Sequence, residues 1–552
     1  MIKNFIRDLT DKALMSSGLH AAKDKKINYN IERPSEPKFG DFSTNVSMVF
    51  AKLEKKSPMD IAGNIIEFYP KDEKLIKEIK IEKPGFINFY LNTQILSEYV
   101  ALLKENPLGI GFDKLGRGES IFLEFVSANP TGPLHIGHGR GAAVGDSLAR
   151  LLRAAGYEVH TEYYVNDAGN QIDKLGESVY FRFKQLNGEE VDFPDDGYQG
   201  GYIKDIANSK EYSDALNQLN NTEEAMRVSK EISAQKILDN IRESLSSFGV
   251  NFDNWFSEKS LFEDTSVSDC ISELEKKKMI YEDQGAKWIR SSDFGDEKDR
   301  VVVRDNGNPT YLASDIAYHK LKFEKKFNKY INIWGSDHHG YLPRVKASLE
   351  MLGFDSSQLD VLFIQFVSLK RGLEKVQMST RSGEFEELST VVKEVGVDTA
   401  RFFFLMRSPD TTLEFDLDLA KTQSNENPVF YVQYAYARTS SLLEQAKEKG
   451  IEIERIDESS LKSLHSLDDH KLFLSILEWP ENLILAVKQH EPHHIAFSLI
   501  SLAKNFHGYY NQNRFLSDDK ETSRARLFLA KCVREIIRNG LELIGVSAPE
   551  KM

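Results

Sequence analysis

The run Ser127-Ala128-Asn129-Pro130-Thr131-Gly132-Pro133-Leu134-His135-Ile136-Gly137-His138-Gly139-Arg140-Gly141 is the densest concentration of unusual residue types in the chain. It follows a short apolar stretch, Ile121-Phe122-Leu123-Glu124-Phe125-Val126, and leads into a helical pattern from about Ile136 to Ala155. A helix starting at such a loop offers unpaired backbone N–H groups and the positive end of its dipole, which suits a phosphate. His135 and His138, three residues apart, face one side of that first turn, where they can hydrogen-bond phosphate oxygens as charge shifts during group transfer. Gly137 carries no side chain, so a flat base can come close to the backbone. The glycines at 137, 139 and 141 do not form the G-x-G-x-x-G dinucleotide pattern, which counts against hydride transfer. A Gly-rich turn with incidental histidines is the plainer alternative. Strand, prolines, glycines and helix together favour nucleotide chemistry.

The elements that must hold this loop read as α/β. Gly156 stands where a helix cap is expected, and Tyr157 to Val165 reads as the next strand. Tyr330-Ile331-Asn332-Ile333-Trp334 and Val361-Leu362-Phe363-Ile364-Gln365-Phe366 supply two more strand candidates. Strand–helix–strand order predicts a parallel sheet of the Rossmann type over about residues 111 to 425, with a charged, mostly helical insertion over about 170 to 290. The segment before about residue 110 predicts an α+β domain: an opening amphipathic helix, a helical stretch from about Asn45 to Tyr69, and strand alternation from Ile79 to Leu91 around Pro84-Gly85. From about 426 to 552, apolar residues recur at three- and four-residue spacing, which predicts an all-α bundle with a last helix over about Ser523 to Ile544.

Composition limits the partners. Hydrophobic residues at 41% and charged residues at 28% fit a soluble multidomain protein. There is no apolar run long enough for a bilayer, and the N-terminus reads as a helix rather than a leader, so a cytoplasmic protein with no membrane partner is expected. The two cysteines, Cys270 and Cys532, are too few and too far apart for a disulfide framework or a cysteine-built zinc site. A net charge of -14 counts mildly against nucleic acid for the chain as a whole, although only a contacting face must be basic.

His135-Ile136-Gly137-His138 resembles the HIGH signature of class I aminoacyl-tRNA synthetases, and Ser127 to His138 looks like the arginyl-tRNA synthetase version of it. The resemblance spans nearly the whole chain. Phe39-Gly40-Asp41-Phe42-Ser43-Thr44-Asn45 and Pro84-Gly85-Phe86-Ile87-Asn88 resemble that family's N-terminal domain. Thr310 to Tyr318 and Gly335-Ser336-Asp337-His338-His339-Gly340-Tyr341 resemble its catalytic domain. Phe430 to Arg438 resembles the opening of its anticodon-binding domain, and Val546-Ser547-Ala548-Pro549-Glu550 its ending. The second signature departs from the pattern. The counterpart of the KMSKS loop is Gln377-Met378-Ser379-Thr380-Arg381-Ser382-Gly383, with Thr380 where the class often has its second lysine. Arg381 or Lys375 would supply that charge, and a guanidinium fork is not equivalent to an ammonium point charge.

The resemblance implies ATP-dependent loading of arginine onto its tRNA through an arginyl-adenylate, with ATP, Mg²⁺, L-arginine and tRNA(Arg) as ligands and a monomeric enzyme. His135, His138, Ser379 and Arg381 are then the catalytic residues, and Gly137, Gly139, His135, His138 and Met378 contact ATP. Arginine is a planar cation with five donors, so its pocket needs carboxylates. By resemblance Glu124, Tyr311 and Asp315 line that pocket, and Asn129 holds the backbone groups of the amino acid. From the residues alone, each acid reads equally as a structural hydrogen-bond partner. Asp337, His338 and His339 lack a recognised ligand spacing, so no resident metal is expected; they cap a helix near Pro343 or, by resemblance, border the active site. Phe430, Tyr431, Tyr434, Tyr436, Arg438, Tyr509, Tyr510, Asn511, Asn513 and Arg514 interleave aromatics with polar and basic groups. Such a stripe is first a core, and by resemblance a face that stacks on unpaired anticodon bases. By resemblance the N-terminal domain meets the outer corner of the tRNA. Rival readings are another class I synthetase, a nucleotidyltransferase acting on a small molecule, and a synthetase-like RNA-binding protein without activity. A cysteine enzyme would need zinc-ligand cysteines, and an editing enzyme a longer chain.

Overall fold

The computed structural model describes residues 2–19, 28–34, 36–70, 74–108, 112–219, 221–372, 374–376, 386–453 and 458–552. At its centre five parallel strands pair in the order Leu359–Ile364, Lys329–Gly335, Ser120–Glu124, Glu158–Val165, Asn254–Ser257. Ser120–Glu124 comes first in the chain and lies in the middle, so the order reverses between it and Lys329–Gly335. The crevice beyond the carboxyl ends of these two strands is where such sheets bind ligands. Ile121, Phe122 and Leu123 are buried, as expected of a strand covered on both faces.

The helix Ile136–Ala154 packs on this sheet with most of its residues buried. Its small residues permit the close approach: a Cβ on Gly145 would lie 2.2 Å from the Phe125 ring. Gly156, with φ +87°, ends it, and a Cβ there would meet the Asp113 carbonyl oxygen at 2.2 Å, so no other residue fits.

The charged segment expected to be helical from 170 to 290 is helical through Asn170–Leu186, Gly201–Ala207, Lys210–Leu216 and Thr222–Ser247. It then returns to the main sheet through the edge strand Asn254–Ser257 and forms an antiparallel trio, Ile280–Asp283, Ala286–Ile289 and Arg300–Val303. The edge strand escapes a pattern reading because it is four residues long and half-buried throughout, without alternation.

In the N-terminal region a four-stranded antiparallel sheet (Ile31–Glu32, Phe42–Thr44, Phe86–Leu91, Ile76–Glu82) carries the helices Ile2–Ser16, Val46–Glu54 and Pro58–Ile66. The single helical stretch expected from Asn45 to Tyr69 is therefore two helices. Lys55 turns left-handed at φ 54°, Ser57 caps the second helix by accepting from the Asp60 N–H, and Pro58 opens it. The C-terminal region is helical: Pro428–Glu448, Glu458–Lys462, Leu467–Leu477, Trp479–Gln489, His493–Gln512 and Lys520–Leu543. A small second sheet, Val367–Arg371 paired antiparallel with Glu374–Val376 and parallel with Leu413–Asp416, stands between the main sheet and this bundle in the chain.

Candidate active site

His135 is the N-cap of the helix Ile136–Ala154. Its Nδ1 accepts from the N–H groups of Gly137 (3.1 Å) and His138 (3.3 Å), and Nδ1 of His138 accepts in return from the His135 N–H (3.3 Å). The two rings stack with centroids 3.6 Å apart. Because each Nδ1 lone pair takes a backbone proton, the neutral rings are assigned as the Nε2–H tautomer. Burial lowers the basicity of His135, and burial together with His135 lowers that of His138 well below the usual histidine range. The pair therefore presents neutral N–H donors at a helix N-terminus, where a phosphate gains hydrogen bonds without a competing titration.

The glycines of the signature also have a packing role. A Cβ on Gly137 would come within 2.9 Å of Cε1 of His135, so the missing side chain makes room for the stacked ring. Gly139 is buried, and a Cβ there would strike Leu388 at 2.5 Å and Phe404 at 3.2 Å. Its smallness lets the helix pack against Leu388, in the segment that follows the second signature loop. That segment is tied to the first, Leu388 N–H to Leu134 O at 2.8 Å and Ile136 N–H to Glu386 O at 3.3 Å. Met378, Ser379, Thr380 and Arg381 lie outside the described residues. Lys375 stands in register with Lys370 in the short hairpin before them.

Below the histidines, carboxylates gather. Glu124, at the end of its strand, is buried and accepts from Lys322 Nζ (2.6 Å), Ser127 Oγ (3.1 Å) and Tyr318 Oη (3.2 Å). Lys322 is wholly buried and also donates to Asn332 Oδ1 at 2.6 Å. The negative charge of Glu124 is thus already answered inside the protein. Tyr318 also donates to Glu162 at 2.9 Å. Burial opposes ionisation of Glu162, yet hydrogen bonds from His160 and Asn254 and the charges of Lys325 and Lys322 hold it down at about 2. Asp315 behaves oppositely. Burial raises it to about 7, the neighbouring Glu124 and Glu258 add to the rise, and a hydrogen bond with Tyr341 and the Lys322 charge oppose it. Glu258 is buried, accepts from Ser314 Oγ at 2.7 Å and also from Tyr164, and burial raises it. A cation brought between Asp315 and Glu258 favours their charged forms, and a planar guanidinium is the cation that carboxylates flanked by tyrosines fit.

Tyr311 opens the helix Tyr311–Glu324 and is 57% exposed. With Gly169, Glu258 and Ser314 it lines a cleft of about 200 Å³. Asn129 is exposed and donates to Gln171 Oε1 at 2.7 Å. Asp337, His338 and His339 form the 3₁₀ turn Ser336–Tyr341 that precedes the helix Leu342–Leu352, and none caps it; His339 lies flat on Phe363 with centroids 3.6 Å apart. Backbone strain concentrates after Glu124: Val126 and Ser127 have φ of +70° and +44°. A β-branched residue there is disfavoured. Ser127 compensates by bonding Glu124 through Oγ, accepting from Tyr164 N–H at 3.1 Å and, through its carbonyl, from Asn166 Nδ2 at 3.4 Å.

Glu258, Lys322 and Arg140 are residues that the sequence reading passes over. Lys322 has a signal, since Tyr311, Asp315, Tyr318 and Lys322 recur at helical spacing on one face. Glu258 follows the short edge strand and has none.

In the C-terminal region the aromatic stripe divides. Tyr436 and Tyr509 are buried, Tyr509 donating to Asp469 at 2.6 Å. Phe430, Tyr434, Arg438 and Tyr510 are half-buried. The Arg438 guanidinium lies between the rings of Tyr434 (4.6 Å) and Tyr510 (4.4 Å) and bonds Tyr434 Oη and His507 Nδ1.

Models of three domain families match in sequence: the arginyl tRNA synthetase N terminal domain over residues 2–91, the class I (R) tRNA synthetase catalytic domain over 101–416, and the DALR anticodon binding domain over 432–552. The arginine–tRNA ligase of Desulfosudis oleivorans is 46% identical, covering 100% of this chain and 99% of that one. That of Bacillus licheniformis is 44% identical with the same coverage. The Thermus thermophilus arginyl-tRNA synthetase structure superposes over 100% of both chains with a TM-score of 0.76 at 22% identity, which speaks for the fold. With a parallel sheet, a paired-histidine helix start beyond the end of its first strand, and these matches end to end, the chain belongs to the arginyl-tRNA synthetase family.

Proposed function

We propose that this chain is an arginine–tRNA ligase that joins arginine to its tRNA at the expense of ATP, through an arginyl-adenylate. The observation that supports the choice of amino acid is the pair of neighbouring buried carboxyls Asp315 and Glu258, both raised by burial, Glu258 lining the cleft beside Tyr311. A bound guanidinium favours the ionised form of each. Lys322 occupies Glu124, so Glu124 shapes the pocket from beneath. In this reading Asn129, which is exposed and bonded to Gln171, holds the backbone groups of the amino acid.

ATP enters as its Mg²⁺ complex, a substrate. An α-carboxylate oxygen of arginine attacks the α-phosphorus in line, the bond to the bridging oxygen breaks, and pyrophosphate leaves. The Nε2–H groups of His135 and His138 donate to phosphate oxygens as negative charge moves between them. Met378, Ser379 and Arg381 follow the leaving group from the second loop, with Lys375 close by in sequence. In the second step the 2′-hydroxyl of the terminal adenosine attacks the acyl carbon and AMP leaves. The half-exposed face of Phe430, Tyr434, Arg438 and Tyr510 stacks on anticodon bases, and the N-terminal region meets the outer corner of the tRNA. Domain divisions near residues 110 and 425 and a monomeric, cytoplasmic enzyme go with this reading. Among the described residues no helix is long and apolar enough to cross a membrane.

The test is charging of total tRNA by each of the twenty amino acids with ATP and Mg²⁺. Arginine alone is expected to be loaded, and His138→Ala is expected to lose the activity. Loading of a different amino acid would overturn the pocket assignment and keep the class. No loading at all would favour an RNA-binding protein.

A further inference from the structure

Two residues beyond His138 on the same helix, Arg140 is completely buried. An arginine in the first turns of a helix ordinarily keeps its charge in water. This one extends into backbone instead. Nη1 donates to the carbonyls of Gln365 (2.9 Å) and Thr411 (2.8 Å), and Nη2 to that of Ser408 (2.8 Å). These carbonyls sit just before the two parallel strands Val367–Arg371 and Leu413–Asp416, so one guanidinium gathers the entry points of both. Asp410, in the same loop, answers its charge through space and accepts from Ser408 Oγ (2.6 Å) and Thr411 Oγ1 (3.3 Å). Val367–Arg371 forms the hairpin with Glu374–Val376 that leads directly into the second signature loop. The chain beyond that loop is fastened to the same helix start by the Leu388–Leu134 and Glu386–Ile136 hydrogen bonds.

We propose that Arg140 is a positioning residue for the first chemical step: it sets the small sheet carrying the second loop at a constant distance and angle from the His135–His138 pair. Among the described residues the second segment pairs with the first only after its loop, through a single antiparallel bridge between His135 and Glu387, so on the side before the loop the placement falls to Arg140. Three hydrogen bonds from one planar group fix translation and rotation together, which a lysine cannot do. Phosphoryl transfer depends chiefly on such placement, and an ångström of misplacement costs roughly a hundredfold in rate. Neither arginine nor the tRNA touches Arg140, so ground-state binding should be spared. The inference rests on the ligase reading, and the unaltered chain tests that reading by its own charging activity.

The experiment compares Arg140→Gln, Arg140→Lys and Asp410→Asn in the full chain, measuring kcat and KM for arginine and ATP during tRNA charging. Tm and the Kd for tRNA are measured alongside. Arg140→Gln is expected to lower kcat by roughly a hundredfold with both KM values within about threefold of the unaltered chain and an unchanged Kd for tRNA. Arg140→Lys should fall between. Asp410 is exposed, so its variant folds whatever becomes of Arg140→Gln; it should lower kcat by about threefold to tenfold, and its effect should not add to that of Arg140→Lys. A kcat within about threefold in both Arg140 variants would overturn the proposal. So would a loss that appears in KM for arginine, or an Asp410→Asn effect confined to Tm.

Discussion

In the catalytic cleft a buried cation, Lys322, is held by the carboxylate of Glu124, whereas in the helical region a half-buried cation, Arg438, is held by the faces of Tyr434 and Tyr510. Each lies over two aromatic rings, Lys322 over Phe122 (4.8 Å) and Tyr318 (5.0 Å), Arg438 over Tyr434 and Tyr510. At Lys322, Tyr318 also turns its hydroxyl to Glu124 and Glu162 and serves as a donor, so it helps hold the two paired carboxylates. At the helical face the rings present their π surfaces, which hold a guanidinium and leave stacking planes at the edge. Aromatic faces thus lie against the positive charge in both places, and what burial adds at Lys322 is a carboxylate. Deep in the fold the cation is matched by a carboxylate; at the half-buried face neutral partners, Tyr434 Oη and His507 Nδ1, suffice.

The sharpest way to break this contrast is to remove the buried cation. Lys322→Met should leave Glu124 charged and unanswered and cost about 3–5 kcal/mol in urea unfolding, while Lys322→Met combined with Glu124→Gln should recover most of it. Equal destabilisation of the single and double variants would mean that the pair contributes no coupling. Asp315→Asn comes next: it should raise KM for arginine by about 1.5–3 kcal/mol, or roughly 10- to 100-fold, and leave tRNA affinity alone. Its pH behaviour gives the sign. Asp315 is raised to about 7 in the free protein, so arginine binding should strengthen as pH rises through 7 and level off above. The stability contribution runs the other way: the folded state holds that proton, so the contribution is full below the unfolded pKa and is lost as pH rises through about 7. A flat KM profile between pH 6 and 8 in the unaltered chain would contradict the role of Asp315. The smallest effect belongs to the surface. Arg438→Ala should weaken tRNA binding about tenfold in a filter assay, about 1.4 kcal/mol, with KM for arginine unmoved. A rise in KM for arginine would show that the two regions do not act separately.

The His135–His138 site is legible in the sequence because its parts are contiguous. A strand, a loop with prolines and a capped helix follow one another, and local rules dictate each. Asp315 and Tyr311 are legible as a pair because helical spacing puts them on one face. Glu258 is not, because it reaches the cleft from a four-residue edge strand whose pattern is indistinct. Gly139 reads as a nucleotide contact from its place in the signature, although its near neighbours are Leu388 and Phe404. Arg140 in a helical run reads as a solvated charge, and nothing local says that three carbonyls from distant segments will surround it. Arg401 repeats the case. It is buried, donates to Asp146 at 2.5 Å and to the Ile544 carbonyl at 3.0 Å, and so locks the familiar C-terminal ending onto the same helix.

Spacing along the chain therefore settled the kinds of element, the helix start at His135 and the all-helical end, since hydrophobic periodicity and capping act over a few residues. The fold alone settled which carboxylates remain available to a cation, which glycine is there for packing, and which arginines are buried. Those outcomes depend on desolvation and on partners brought together from far apart in the chain, and no local pattern encodes either.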